Sequence, residues 1–218
     1  MLDLDAIDAD LLEAHRAWFA KEPARLSIDG YYRYKIEIGC ILDANDRAIV
    51  RYIERAFPRE PAQTFLEVGA GHGQLSLALA LTCPEHAAIA VDIDIDRTSG
   101  AQFIFRHVLE MHSGATAHAD VCHSSFPDGY SGSADWDVLI ATNVINEHWG
   151  LWKAPEEEKL ALTLQGRDAI IDVERWWIHR PGPEQQMHLV QEIASLGYHP
   201  EPVPVPELSK STIWSFRR

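Results

Sequence analysis

From residue 64 to the end of the chain, short apolar runs recur between segments of helical period. The first is Thr64 to Val68, and the second, Ala88 to Val91, ends at Asp92. A third spans roughly Ala115 to Ala119, a fourth Trp136 to Ala141 and a fifth Ala169 to Val173. Nearly continuous apolar runs suit strands buried on both faces, and helical segments between them predict a parallel sheet covered by helices on both sides. Pro155 followed by Glu156, Glu157 and Glu158 opens one such helix, which Gly166 can close. Pro183-Glu184 and Gly197 bracket another in the same way.

The two ends of the chain break this alternation. Pro200, Pro202, Pro204 and Pro206 fall at every second position, so an extended segment there lacks donors on one side and must be an edge strand, Tyr198 to Val205. Ser211 to Phe216 alternates polar and apolar residues as its hairpin partner would. Ahead of the first strand, Ala6 to Ala20 and Tyr31 to Phe57 have helical patterns. The expected architecture is α/β: a doubly wound, mostly parallel seven-stranded sheet over residues 61–218, with a C-terminal antiparallel hairpin and an N-terminal helical extension, residues 1–60.

Candidate chemistry is concentrated where the first strand ends. Glu67 is followed by Gly69, Gly71 and Gly73 at alternate positions, with Ala70 between the first two. Glycines there allow a sharp strand-to-helix turn and leave bare backbone against which a flat ligand can lie. A dinucleotide fingerprint, G-x-G-x-x-G, does not fit, since its last position falls on Gln74 or on Ser76. A nucleoside crevice also needs an acid for the ribose hydroxyls about 20 residues further on, and Asp92 at the end of the second run provides it. Asp94 and Asp96 are close competitors for that role.

The pattern E-x-G-x-G-x-G, with the ordered acids after it, resembles motif I of the class I S-adenosylmethionine-dependent methyltransferases. That resemblance covers roughly residues 60 to 218 and implies a set of roles. The glycine loop, with Glu67 facing the ligand, would hold the methionine end of S-adenosylmethionine. Asp92 and Ile93 would lie along the nucleoside, and Asp120 and Val121, after the third run, would meet the adenine amino group. Thr142 to His148 looks like the motif IV region, bringing Asn143 to the cofactor. An N-terminal extension in this family commonly covers the substrate crevice, and Gly30 to Lys35, with Tyr32 and Arg33, is the part placed to do so. Those tyrosines would equally serve to pack the helix onto the sheet.

Methyl transfer from a sulfonium requires alignment of a nucleophile and, where needed, its deprotonation. His148, just past the fourth run, is the candidate base because an imidazole accepts a proton near neutral pH; Glu147 is the alternative, and His179 has a similar position after the fifth run. Trp149, Trp152, Trp176 and Trp177 also follow these two runs, where ligands of open α/β sheets sit, and suit an aromatic or sugar-like acceptor.

The formal net charge of -14 over 218 residues disfavours nucleic acid as a partner. Cys40, Cys83 and Cys122 are too scattered for a disulfide framework, the first residues are acidic, and no apolar stretch is long enough for a membrane span. These features point to a cytoplasmic protein. His118, Asp120 and His123 have metal-ligand side chains, but Asp120 is assigned to adenine, so no metal is expected. Neither is a Cys122 nucleophile. The function expected is transfer of a methyl group from S-adenosylmethionine to a small molecule, most simply at a hydroxyl, leaving S-adenosylhomocysteine. A nicotinamide-dependent oxidoreductase and a non-catalytic cofactor-binding or regulatory protein of the same fold are the alternatives.

Overall fold

The computed structural model describes residues 3–112, 117–126, 135–142, 163–173, 183–206 and 212–218. Its strands are β1 Thr64–Val68, β2 Ala87–Asp92, β3 His118–His123, β4 Val138–Ala141, β5 Asp168–Asp172, β6 His199–Pro202 and β7 Ile213–Arg217. The described helices are α1 Leu4–Lys21, α2 Pro23–Ile28, α3 Gly30–Ile38, α4 Ala44–Ala56, α5 Gln74–Thr82, α6 Ile95–Met111 and α7 Pro183–Ser195. The strands form one sheet in the order β3-β2-β1-β4-β5-β7-β6. The first five pair in parallel, and β7 is antiparallel to both its neighbours. The order reverses at β1, which makes the carboxyl ends of β1 and its neighbours the place for a ligand crevice.

A period of two along each strand divides the core between the sheet's faces. Phe65, Ala88, Ala90, Val138, Ile140 and Ile170 join one cluster with side chains of α1, α4, α5 and α6. Leu66, Ile89, Val91, Leu139, Ala169 and Ile171 join the other, with Leu189, Val190 and Ile193 of α7. All of α5 is buried, because α1 and α4 cover the side turned away from the sheet. A helix with the sequence Gln-Leu-Ser-Leu-Ala-Leu-Ala-Leu-Thr has no polar face to expose, so its stability depends on that second layer. Truncating Leu77 or Leu79 to alanine would cost about 2–5 kcal/mol. The helices before β1 thus contribute to the same core as the sheet.

Three boundaries differ from expectation. The helix predicted over Tyr31 to Phe57 is two helices, because Gly39 turns left-handed at φ 71° and ends α3. Asp43 then opens α4 through a capping box with Asp46. Buried Asp8 holds the break, accepting the N–H groups of Ile41 and Leu42 at 2.8 and 2.7 Å. The third strand lies further along than Ala115 to Ala119, so Asp120 and Val121 are inside β3, not beyond its end. The edge strand is shorter than Tyr198 to Val205 but lies at the sheet's edge as the prolines require. Val203 donates to Ile213 at 2.9 Å, so the even-numbered prolines direct their donorless nitrogens to the free side. Of the helix predicted after Pro155, Thr163 and Leu164 are described and helical, and Gly166 follows at φ 75°.

Candidate cofactor and active site

The turn from β1 into α5 is made by Gly69, Gly71 and Gly73 at φ 66°, 60° and 69°, left-handed values that strain any residue with a Cβ. The loop is held onto β2: Ala70 N–H donates to Val91 O at 3.0 Å and Gly71 N–H to Asp92 Oδ2 at 2.8 Å. The bare faces of two of these glycines meet protein groups. A Cβ on Gly71 would lie 2.8 Å from the Tyr32 hydroxyl oxygen, and one on Gly73 2.7 Å from a Phe105 ring carbon and 3.0 Å from Ala90 Cβ. The close approach expected of a ligand is, at these two positions, made by Tyr32 and Phe105.

Glu67 and Asp92, at the ends of adjacent parallel strands, have different surroundings. Glu67 shares the strand face of Phe65, and its carboxyl turns under α5 instead of into the crevice. There Oε2 accepts from Ser76 N–H at 3.0 Å and Ser76 Oγ at 2.6 Å. Gly73, the N-cap of α5, has no side chain, so Glu67 satisfies an otherwise unpaired donor of the first turn. Burial pushes its pKa up to about 7, with the Ser76 bonds opposing the rise and the Asp92 charge adding to it. Asp92, 7% exposed, accepts Gly71 N–H with one oxygen and Asp94 N–H with the other at 2.8 Å. Each oxygen retains a lone pair, so the carboxylate can still accept from a ligand hydroxyl.

Over the loop lies an aromatic cluster supplied by the N-terminal helices. Tyr32 is buried; its hydroxyl accepts His72 N–H at 2.8 Å and donates to Gln74 Oε1 at 2.9 Å. Its ring stacks on His72 with centroids 4.0 Å apart, and His15 stacks on Tyr32 at 5.0 Å. His15 Nδ1–H donates to Leu11 O at 2.7 Å, while His15 Nε2 and His72 Nδ1 are buried without a protein partner. Burial holds both imidazoles neutral: His15 is lowered to about 4 and His72 lies well below its ordinary value. Burial raises the Tyr32 phenol, so it stays protonated. Beside this cluster a cavity of about 350 Å³ is lined by Trp18, Phe19, Arg25, Tyr31, His72 and Arg97, among others. Arg25 pairs with Asp96 at 2.9 Å and Arg97 with Asp94 at 3.8 Å, which ties the cavity to the first turn of α6 beside Asp92.

The remaining sequence candidates scatter. Ile93 is 59% exposed at the end of β2. Asp120 is exposed in mid-strand opposite Ile89, three residues short of the end of β3 at His123. Val121 is its half-buried neighbour. Arg33 is exposed on α3, whereas Tyr32 next to it is in the core. Asn143, Glu147, His148, Trp149, Trp152, Trp176, Trp177 and His179 lie outside the described residues. His118, Asp120 and His123 do not converge: among the described residues no group of three or more His, Cys, Asp or Glu side chains is arranged to hold a metal. No described helix is long and apolar enough to cross a membrane. Burial raises the Cys122 thiol, with the Asp120 charge adding to the shift, which leaves it a poor nucleophile. His15, His72, Gln74 and Ser76 were not singled out in the sequence. The signal for His72 is its place inside the glycine motif, and for Ser76 its place in the first turn of a helix whose cap is glycine.

No protein-family model matches the sequence. No curated protein matches it either. Solved structures do match. A precorrin-6y C5,15-methyltransferase from Geobacter metallireducens GS-15 is 12% identical over 81% of this chain and 87% of its own, with a TM-score of 0.52. The small RNA methyltransferase HEN1 is 18% identical over 79% of this chain, with a TM-score of 0.57; the match covers 25% of HEN1. The methyltransferase domain of bacterial CtHen1-C is 14% identical over 80% of this chain and 97% of its own, with a TM-score of 0.53. At these identities the likeness is one of fold, and the chain has the Rossmann-like fold of the class I methyltransferases.

Proposed function

We infer that this chain is an S-adenosylmethionine-dependent methyltransferase acting on a small-molecule acceptor, at a hydroxyl oxygen of an aromatic or sugar-like compound. The observation that carries the reading is the joint between glycine loop and β2. Asp92 fixes Gly71 N–H and keeps lone pairs for two ribose hydroxyls at the point where the strand order reverses. Exposed Ile93 supplies an apolar face for the adenine. Since β3 runs on to His123, Asp120 and Val121 are set back, and the adenine amino group falls to residues after His123. The glycine loop lies at the methionine end.

Bound there, S-adenosylmethionine supplies an activated methyl group on a sulfonium. The chain's own task is to orient the acceptor, exclude water and accept its proton. His148 is assigned the proton, with Glu147 as the alternative, Asn143 is assigned to the cofactor, and Trp149, Trp152, Trp176 and Trp177 are assigned to the acceptor, all from their positions in the sequence. Residues 1–60 form its roof through Tyr32 and its neighbours. The net charge of -14 supports a small acceptor over RNA, although HEN1 shares the fold.

Calorimetric titration with S-adenosylmethionine, S-adenosylhomocysteine and NAD tests the cofactor. Binding of the first two without NAD is expected; NAD alone would favour the oxidoreductase alternative, and no binding at all would favour a regulatory protein that keeps the fold without the cofactor. His148→Ala is expected to bind cofactor unchanged and to lose transfer, and undiminished transfer would exclude it as the base.

A further inference from the structure

A second cavity, of about 440 Å³, lies on the outer side of α4 and shares no residue with the one beside the glycine loop. Arg47, Arg51 and Arg55 line it from one side, and Pro204 and Pro206 from the other. The three arginines are four residues apart, so they stand on one face of the helix, rising about 6 Å per step. Opposite them Val203 and Val205 are buried in the core, and the alternating Pro204 and Pro206 turn their rings outward to form an apolar wall.

Charge pairing sets the arginines apart from one another. Arg47 is satisfied, with Asp5 at 2.6 Å and Asp8 at 2.9 Å. Arg55 uses Nε on Arg51 O at 2.9 Å, and its terminal nitrogens, like the whole guanidinium of Arg51, bond no carboxylate among the described residues. Two like charges one turn apart, with no carboxylate partner among the described residues, repel each other. An anion between them would reverse that repulsion.

We propose that this cavity is a binding site for a phosphomonoester with an apolar body, the phosphate held by Arg51 and Arg55 and the body against Pro204 and Pro206. The charge count selects phosphate: it carries about two negative charges at neutral pH and three acceptor oxygens, matching two guanidiniums, whereas a carboxylate neutralises one. The volume is within the range for small ligands, and the strongly acidic chain disfavours a polyanionic backbone as occupant.

Phenyl phosphate, inorganic phosphate and benzoate are the probes, titrated calorimetrically into the full chain without any cofactor. Phenyl phosphate is expected to bind with a Kd of about 1 mM or tighter and each of the other two about tenfold more weakly. Arg51→Gln and Arg55→Gln, both at exposed positions, are each expected to weaken phenyl phosphate about tenfold while circular dichroism stays unchanged. No heat with phenyl phosphate, or undiminished binding in both variants, overturns the site. Equal affinity for inorganic phosphate overturns the apolar wall's part in it. Affinity for S-adenosylmethionine is expected to be the same in the double variant as in the parent, and a parallel loss would assign these arginines to the cofactor crevice instead. Because the probe titrations use no cofactor, their result stands whatever becomes of the methyltransferase reading.

Discussion

The glycine loop has an inner and an outer half, and they are built differently. On the inner side, Glu67, Gly73 and Ser76 are locked by the protein: the carboxyl caps α5, and Gly73 has Phe105 and Ala90 against it. On the outer side, Gly71 is held by Asp92 and His72 by Tyr32, His72 lines a cavity, and two buried imidazole nitrogens lack a protein partner. Two acids that look equivalent in sequence therefore do different work. Glu67 caps α5, and Asp92 holds the glycine loop to the end of β2. Substitutions on the inner side should move stability, and those on the outer side should move ligand affinity.

The largest expected effect is on the inner side. Gly73→Ala puts a Cβ within 3 Å of an aromatic ring carbon at a left-handed φ, and should cost about 3 kcal/mol in urea unfolding. A change below about 1 kcal/mol would mean the loop is free to adjust and the inner half is not locked.

Next is the pH dependence of stability. With its pKa raised to about 7, Glu67 favours folding when protonated, so its contribution is complete below pH 4.5 and is lost as pH rises through 7. At about 1.36 kcal/mol per pKa unit the loss amounts to about 3 kcal/mol. His15, lowered to about 4, acts in the opposite sense: its contribution is present above pH 6.5 and is lost as pH falls through 4. His72 shifts in the same direction as His15. Glu67→Gln should therefore remove the decline toward neutral pH and keep the acid one, as followed by unfolding midpoints across pH 4 to 8. A curve unchanged from the parent's would show that Glu67 is not buried in the way described.

Asp92→Asn tests the outer half. One backbone N–H that now meets a carboxylate oxygen would face an amide donor, a loss of about 2 kcal/mol in stability. Affinity for S-adenosylhomocysteine should fall about 100-fold, a larger change than in Glu67→Gln, where it should hold within a few fold. Equal losses in the two variants would erase the distinction between the halves.

The sheet was legible from sequence because its strands are nearly continuous apolar runs and its edge carries prolines at alternate positions. The glycine loop was legible because left-handed turns leave few alternatives to glycine. Which way Glu67 points was not, since both sides of β1 are buried and the pattern carries no polar face to orient it. Nor was the shift of β3: it is half-exposed and polar, with a periodicity too weak to set its register. The break at Gly39 depends on Asp8, more than thirty residues away, a contact that no local signal predicts. The roof over the loop likewise comes from pairings such as Tyr32 with His72 and Gln74, whose partners lie some forty residues apart.

Tyr32→Phe should have the smallest effect. It leaves the stack on His72 in place and removes one hydroxyl, stranding His72 N–H and Gln74 Oε1, for a cost of about 1–2 kcal/mol. The same hydroxyl is what a Cβ on Gly71 would strike. Gly71→Ala alone should cost about 2 kcal/mol or more, and part of that should disappear once the oxygen is gone, although the left-handed strain remains. In a double-mutant cycle the two changes should be less than additive by about 1 kcal/mol. Additive costs would mean that Tyr32 does not press on the loop, and the roof formed by the N-terminal helices would then have to touch the outer half through His72 alone.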